Sequence, residues 1–355
     1  MRLLVLTQAV DTEDPILGFM HRWIEELATH YESVEVICLK SGRFNLPANV
    51  TVHSLGKPAF AKAPAGKRNR LVSRIKYVSR FYRYIFSLRR KYDTVFVHMN
   101  QEYVLLGCLP WKLWRKPVVL WRNHKVGFIS THIAAALVRT VCYTSPSAYI
   151  AHFKNAVRMP IGIDTKVFVR PSETSPPHSI IFLGRIDGVK KPIEFINALK
   201  QLLADGFDFK ADIYGDPTYP NDPYFPKFKD AIAPLEASGH LTLHHSIPNT
   251  ETPAVYGKHA IYVNLTPSGS FDKTIGEAMA CGCIVVVAND ALRGVIPDAL
   301  IVDPDDKASV VAGIRAALML TKVERLSISD TSRDYIEHQH SLKLLSQKLV
   351  DVLRK

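Results

Sequence analysis

Short apolar, β-branched runs alternate along the chain with longer segments whose apolar residues recur every three to four positions. Residues 2–7 (RLLVLT) read as a first buried strand. Runs at 34–39, 50–55, 94–98, 118–121 and 141–144 repeat the pattern, with helical spacing between them, notably at 17–31 and 71–91. Strands alternating with helices predict a parallel sheet covered on both faces. Residues 170–178 (RPSETSPPH) are rich in proline and serine and poor in core formers, which reads as a linker. The alternation then restarts, with strands at 179–184, 210–214, 241–244, 261–265 and 284–287 and one near 300–302. Helices fall at 193–204, 223–237, 273–281, 307–320 and 322–338. The fold class is α/β, with two Rossmann-like, doubly wound domains. A last amphipathic helix, at 341–354, has no obvious place in the second sheet.

Composition narrows this reading without changing it. The 355 residues suffice for two domains, and 47% hydrophobic with 22% charged residues is a globular composition. The apolar start of MRLLVLTQAV is too short for a signal peptide, and no run approaches the roughly 20 residues of a membrane helix. Five cysteines (Cys38, Cys108, Cys142, Cys281 and Cys283) are odd in number and lack zinc spacing, so buried free thiols in a cytoplasmic protein are expected.

The formal charge of +12 is concentrated. Residues 62–91 hold eleven Lys and Arg and no Asp or Glu, leaving 34 basic against 33 acidic residues elsewhere. Aromatic residues are interleaved, and helical spacing puts Leu71, Ile75, Val78, Tyr82, Ile85 and Phe86 near one face. Three readings stand: a solvated helix docked on the core, a surface for anionic lipid headgroups, or a nucleic-acid surface. No nucleic-acid motif supports the third, and nucleic acid is not expected as a partner.

Candidate chemistry clusters where strands end. Residues 266–287 (TPSGSFDKTIGEAMACGCIVVV) read as strand end, loop, short helix and strand. Such a helix points free N–H groups and its positive dipole end at an anion, with Glu277 one turn further in to accept hydroxyls. The bland alternative makes Gly282 a helix stop and Glu277 a solvated residue. GRIDGVKK at 184–191 follows another strand; Gly184 turns the chain, and Arg185 and Lys190 can converge on a diphosphate. Neither a P-loop nor G-x-G-x-x-G is present. In the first half, HMNQE at 98–102 and WRNHK at 121–125 follow strands where open α/β sheets bind ligands, and a loop leads through Gly18 into a helix.

GRIDGVKKP followed by GSFDKTIGEAMACG resembles the donor domain of the retaining glycosyltransferases of family 4. The resemblance implies the GT-B architecture: two Rossmann-like domains facing a central cleft. Residues 1–169, completed by a helix at 340–355, would bind the acceptor, and 179–339 would bind the nucleotide-sugar donor. It also implies roles. Arg185 and Lys190 match the basic pair on the donor diphosphate, and Glu277 the glutamate that holds ribose hydroxyls. His124 looks like the histidine beside the transferred sugar. Ser270, Phe271, Asp272, Lys273, Thr274 and Ile275 match the phosphate-contacting loop, and Ile247 a backbone contact to the base. Gly18, His98, Asn100, Glu102 and Lys125 fall where the acceptor enters. The pattern departs at Gly269, which replaces the first glutamate of E-x7-E, so Asp272 or Lys273 would meet the sugar differently.

The implied activity moves a sugar from a UDP- or GDP-sugar to a glycan or lipid-linked hydroxyl with retention of configuration. No metal and no other cofactor is required, since the basic pair compensates the charge. The protein would be cytoplasmic, peripheral at the membrane if 62–91 meets lipid. The alternative is a catalytically silent nucleotide-sugar scaffold of the same fold.

Overall fold

The computed structural model describes residues 1–58, 67–173, 175–219, 221–267 and 271–355, without the side chains of 67–71. The chain divides into two compact units. One comprises Met1–Gly162, Pro248–Thr250 and Leu342–Lys355; the other comprises Ile163–Ile247 and Glu251–Ser341.

The first unit is built on seven parallel strands: β1 (Leu3–Val10), β2 (Val34–Ser41), β3 (Val50–Ser54), β4 (Thr94–His98), β5 (Val118–Trp121), β6 (Thr140–Tyr143) and β7 (Ala156–Arg158). They lie in the order β3-β2-β1-β4-β5-β6-β7. Continuous apolar runs such as Leu3–Leu6 are buried on both faces, as a helix-covered parallel sheet requires. β7 has only three residues at the sheet edge, too short to leave a periodic signal.

Helix α1 (Phe19–Ala28) packs on one face with the chain's last helix, Leu342–Arg354, whose Leu345, Leu349 and Leu353 recur at helical spacing. That helix therefore belongs to the first unit's core. The Trp23 indole donates to the Gly162 carbonyl at 3.1 Å. On the opposite face lie α2 (Lys67–Ser87), α3 (Gln101–Leu113) and α4 (Ile129–Leu137). The buried stripe of α2 is Phe81 and Ile85, extended by Leu88, whereas Ile75 is 61% and Phe86 48% exposed. The face predicted for that helix is thus corrected by about a quarter turn. Its registration is set by Phe81 stacking on Tyr103 of α3.

The second unit holds five parallel strands: β8 (Ser179–Leu183), β9 (Lys210–Tyr214), β10 (Leu241–His244), β11 (Ile261–Asn264) and β12 (Ile284–Val287), in the order β10-β9-β8-β11-β12. Its helices are α5 (Pro192–Ala204), α6 (Tyr224–Ala237), α7 (Thr252–Tyr256), α8 (Lys273–Ala280), α9 (Lys307–Met319) and α10 (Lys322–Tyr335). The last helix is then α11. Local chemistry sets their starts: Pro192 opens α5, the Asp306 carboxylate caps the Ala308 amide, and Thr321 with Glu324 forms a capping box on α10. Gly282 ends α8 at φ +88°, a conformation that suits glycine. The strand expected near 300–302 is reduced to one bridge, Val287 to Ile301, because a 3₁₀ turn at Asp298–Leu300 occupies part of the run.

Candidate functional site

In the second unit the loop after β8 is fastened at several points. The Gly184 amide donates to the Tyr214 carbonyl at 3.0 Å, and the Ile186 amide to the Asp216 carbonyl at 2.9 Å. The approach is close enough that a Cβ on Gly215 would lie 2.0 Å from the Gly184 oxygen, so only glycine fits there. Asp187 then closes the turn, accepting from the amides of Val189 (3.1 Å) and Lys190 (3.0 Å) and from the Thr218 hydroxyl (3.2 Å). The half-exposed Arg185 guanidinium lies 3.4 Å from the same carboxylate. Asp187 is a polar residue in the quoted motif whose positioning role had no signal of its own.

The loop meets the start of α8 through Lys190, whose ammonium pairs with Asp272. Asp272 occupies the N-cap position, yet its side chain makes no cap bond. It accepts instead from Thr266 Oγ1 (3.0 Å) and Asn264 Nδ2 (3.2 Å). Burial pushes this carboxyl up, but the Lys190 charge and these hydrogen bonds outweigh burial and hold it below the ordinary carboxylate range. Thr274 Oγ1 accepts from the Tyr262 hydroxyl at 2.7 Å. Tyr262 and Asn264 stand two apart on β11 and share one side of the strand. Polar groups at that spacing in an otherwise apolar run were the available signal for them.

Phe271 is buried edge-on against His340 at 5.2 Å, and Ile275 and Glu277 are buried within α8, while Lys273 is partly exposed at its first position. Ser270 and Gly269 lie outside the described residues. Beyond β10, the Asp216 carboxylate ties down Ser246 and His245, just before the partly buried Ile247. The Tyr214 and His244 rings stack at the ends of β9 and β10, 4.2 Å apart and 9° from parallel. Asp212 holds both His244 and, at 2.9 Å, the buried His259.

The first unit's candidates occupy the carboxyl ends of β1, β4 and β5. Gly18 precedes α1, with its amide bonded to the Asp14 carbonyl. His98 is buried among aromatic rings, 5.7 Å from Trp23 and 5.8 Å from Phe19. Asn100 precedes α3 and accepts from Gln8 at 2.6 Å; Glu102 is exposed in the first turn. His124 and Lys125 are exposed after β5, and His124 Nδ1 accepts from the Val126 amide at 3.3 Å.

Residues 177–319 match the model of the family described as glycosyl transferases group 1. The matched span lies almost entirely in the second unit. The matched span contains the Gly184–Lys190 loop, Ile247 and the whole α8 cluster, whereas His124 and the other first-unit candidates lie outside it. A comparison with curated proteins found no sequence match.

Among solved structures, the chain is similar over its full length to the whole of Anabaena HepE in complex with UDP and glucose (16% identity, TM-score 0.76). It is likewise similar to sucrose-phosphate synthase of Thermosynechococcus elongatus (15%, covering all of this chain and 98% of that one, TM-score 0.78). A third is the E. coli trehalose-6-phosphate protein bound to UDP-2-fluoro glucose (11%, covering 100% and 99%, TM-score 0.76). At these identities the likeness shows the fold, and the fold is GT-B. Among the described residues of this chain, no helix is long and apolar enough to cross a membrane.

Proposed function

We propose that this GT-B protein transfers a sugar from a UDP-sugar to an acceptor hydroxyl, with retention of configuration and without a metal ion. The observation that carries the reading is the joining of the Gly184–Lys190 loop to the start of α8 by Lys190 and Asp272. Lys190 has three donors, so it can keep Asp272 and still meet a phosphate. With Arg185 and the first amides of α8 it supplies the fixed positive field that stabilises a departing diphosphate. UDP is favoured over GDP because HepE is described with UDP and glucose. Glu277 would take ribose hydroxyls, and Ile247 would lie by the base, beside the Tyr214–His244 pair. The acceptor, a glycan or lipid-linked hydroxyl, would bind the first unit near Gly18, Asn100, Glu102, His124 and Lys125.

The basic segment supports an acceptor presented at an anionic membrane on the cytoplasmic side. Residues 62–66 lie outside the described residues, but α2 exposes Arg74, Lys76 and Arg83 beside apolar Val72, Ile75 and Phe86.

Thermal shift against a panel of nucleotide sugars, followed by assays of hydrolysis and transfer, tests the proposal. UDP-sugars should stabilise the protein by mass action and be turned over. Absence of any nucleotide effect would overturn the donor site. Binding without turnover would favour the silent scaffold, for which Gly269 in place of a glutamate is the motive.

A further inference from the structure

Among the described residues, one buried guanidinium of the first unit has no counter-ion. Arg122 directly follows β5 and is only 9% exposed. Its Nη2 donates to the Val126 carbonyl at 3.2 Å, and its Nε is buried with no acceptor. Among the described residues it makes no ion pair; the carboxylate whose charge it feels is that of exposed Glu102, at longer range. A guanidinium keeps its charge at neutral pH, so burying it unpaired is strongly unfavourable unless an anion arrives.

Two helices begin beside it. Glu102 is in the first turn of α3, and the Val126 carbonyl lies two residues before Phe128, which precedes α4. Gln101 Nε2 donates to Ser130 Oγ at 2.8 Å and so joins the two first turns, while its Oε1 is buried without a partner. No N-cap side chain engages the first-turn amides of either helix: the Asn100 oxygen is taken by Gln8, and Phe128 has no side-chain acceptor, although Thr131 Oγ1 accepts from the Phe128 amide at 3.1 Å. The Tyr103 and Thr131 amides bond back to the Asn100 and Phe128 carbonyls, so it is the amides of Gln101, Glu102, Ile129 and Ser130, with the dipoles of α3 and α4, that add to the Arg122 charge.

We propose that Arg122 and the first turns of α3 and α4 form a binding site for a phosphate group carried by the acceptor. A tetrahedral dianion suits donors that approach from a planar guanidinium and two helix starts, and the orphaned Gln101 oxygen can accept a neighbouring hydroxyl. The assignment to the acceptor rests on the reading of the first unit as acceptor-binding.

The test is a titration with inorganic phosphate at constant ionic strength, read as thermal stabilisation in the presence of saturating UDP, which keeps phosphate off the donor site. Phosphate should stabilise the wild-type protein, and Arg122→Gln should weaken that binding by about ten- to a hundredfold. Stabilisation by UDP should be unchanged in that variant. Glu102→Gln, which removes the opposing charge, should tighten phosphate binding. A wild-type protein indifferent to phosphate, or an Arg122→Gln protein with wild-type phosphate affinity, would overturn the site. Loss of the UDP effect alone would instead count against the donor reading. If Arg122→Gln fails to fold, Glu102→Gln decides, and no gain there rejects the proposal. A hexose monophosphate and a long-chain alkyl phosphate in the same assay distinguish a soluble acceptor from a lipid-borne one, and Arg122-dependent binding of either supports the site.

Discussion

Lys190 and Asp272 stand 82 positions apart in sequence and form a largely buried ion pair that ties the loop after β8 to the start of α8. Two further donors reach the carboxylate of this pair, Asn264 Nδ2 and Thr266 Oγ1, and Asn264 Nδ2 also lies 3.4 Å from Thr274 Oγ1. The pair therefore sets the geometry of both motifs.

Breaking one partner should leave the other charge uncompensated. Asp272→Asn is expected to lower unfolding free energy by about 3 kcal/mol, and Lys190→Met by a similar amount. The double variant should lose less than the sum, which a urea-unfolding double-mutant cycle measures. Additive losses would show that the pair is not coupled.

Arg185 presents the opposite case. Its side chain is 43% exposed and only loosely paired with Asp187, so Arg185→Ala should change stability by less than about 0.5 kcal/mol. Transfer or donor hydrolysis should fall by about a hundredfold or more, as for loss of a charge on the leaving group. Near-normal turnover in that variant rejects the diphosphate assignment.

Acid should weaken the fold in a defined window. Asp272, Asp14, Asp212 and Asp216 are pushed up by burial, yet their hydrogen bonds and charged partners hold all four below the ordinary carboxylate range. The unfolded chain then binds more protons near pH 4 than the folded one. Their stabilisation is complete above about pH 4 and is lost as pH falls through the lower folded values. Melting temperature should be flat in this contribution from neutral pH to about 5 and drop steeply below 4. A Lys40→Met variant, which removes the partner of Asp14, should show a shallower drop.

The exposed face of α2 should bind anionic vesicles. Flotation with phosphatidylglycerol-containing liposomes should recover the protein, less so at high salt and not with neutral lipid. Ile75→Asp with Phe86→Asp should reduce recovery several-fold without unfolding the chain, since both side chains are exposed. Binding indifferent to lipid charge would remove the membrane from the proposal.

Strand and helix order was legible because parallel strands buried on both faces must be apolar throughout, and helices between them must repeat near 3.6 residues. The loops at 184–191 and 266–287 were legible as strand–loop–helix units for a related reason: a chain turning off a strand into a helix needs glycine and a helix start close together. What required the tertiary structure were relations across long separations. The spacing of α2 pointed to a face about a quarter turn from the one that Phe81 buries against Tyr103. The sequence placed His98 after a strand, and the structure shows Phe19, Trp23 and Trp121 around its ring. α11 had no place in the second sheet because its apolar stripe is completed by α1, over 300 residues away.

By itself, then, the amino-acid sequence determined the rhythm of the two sheets and the local chemistry of the loops at 184–191 and 266–287. Pairing Lys190 with Asp272, and leaving Arg122 with no ion pair among the described residues, was decided by packing alone. An ion pair depends on where two chain segments meet, and no local pattern encodes that meeting.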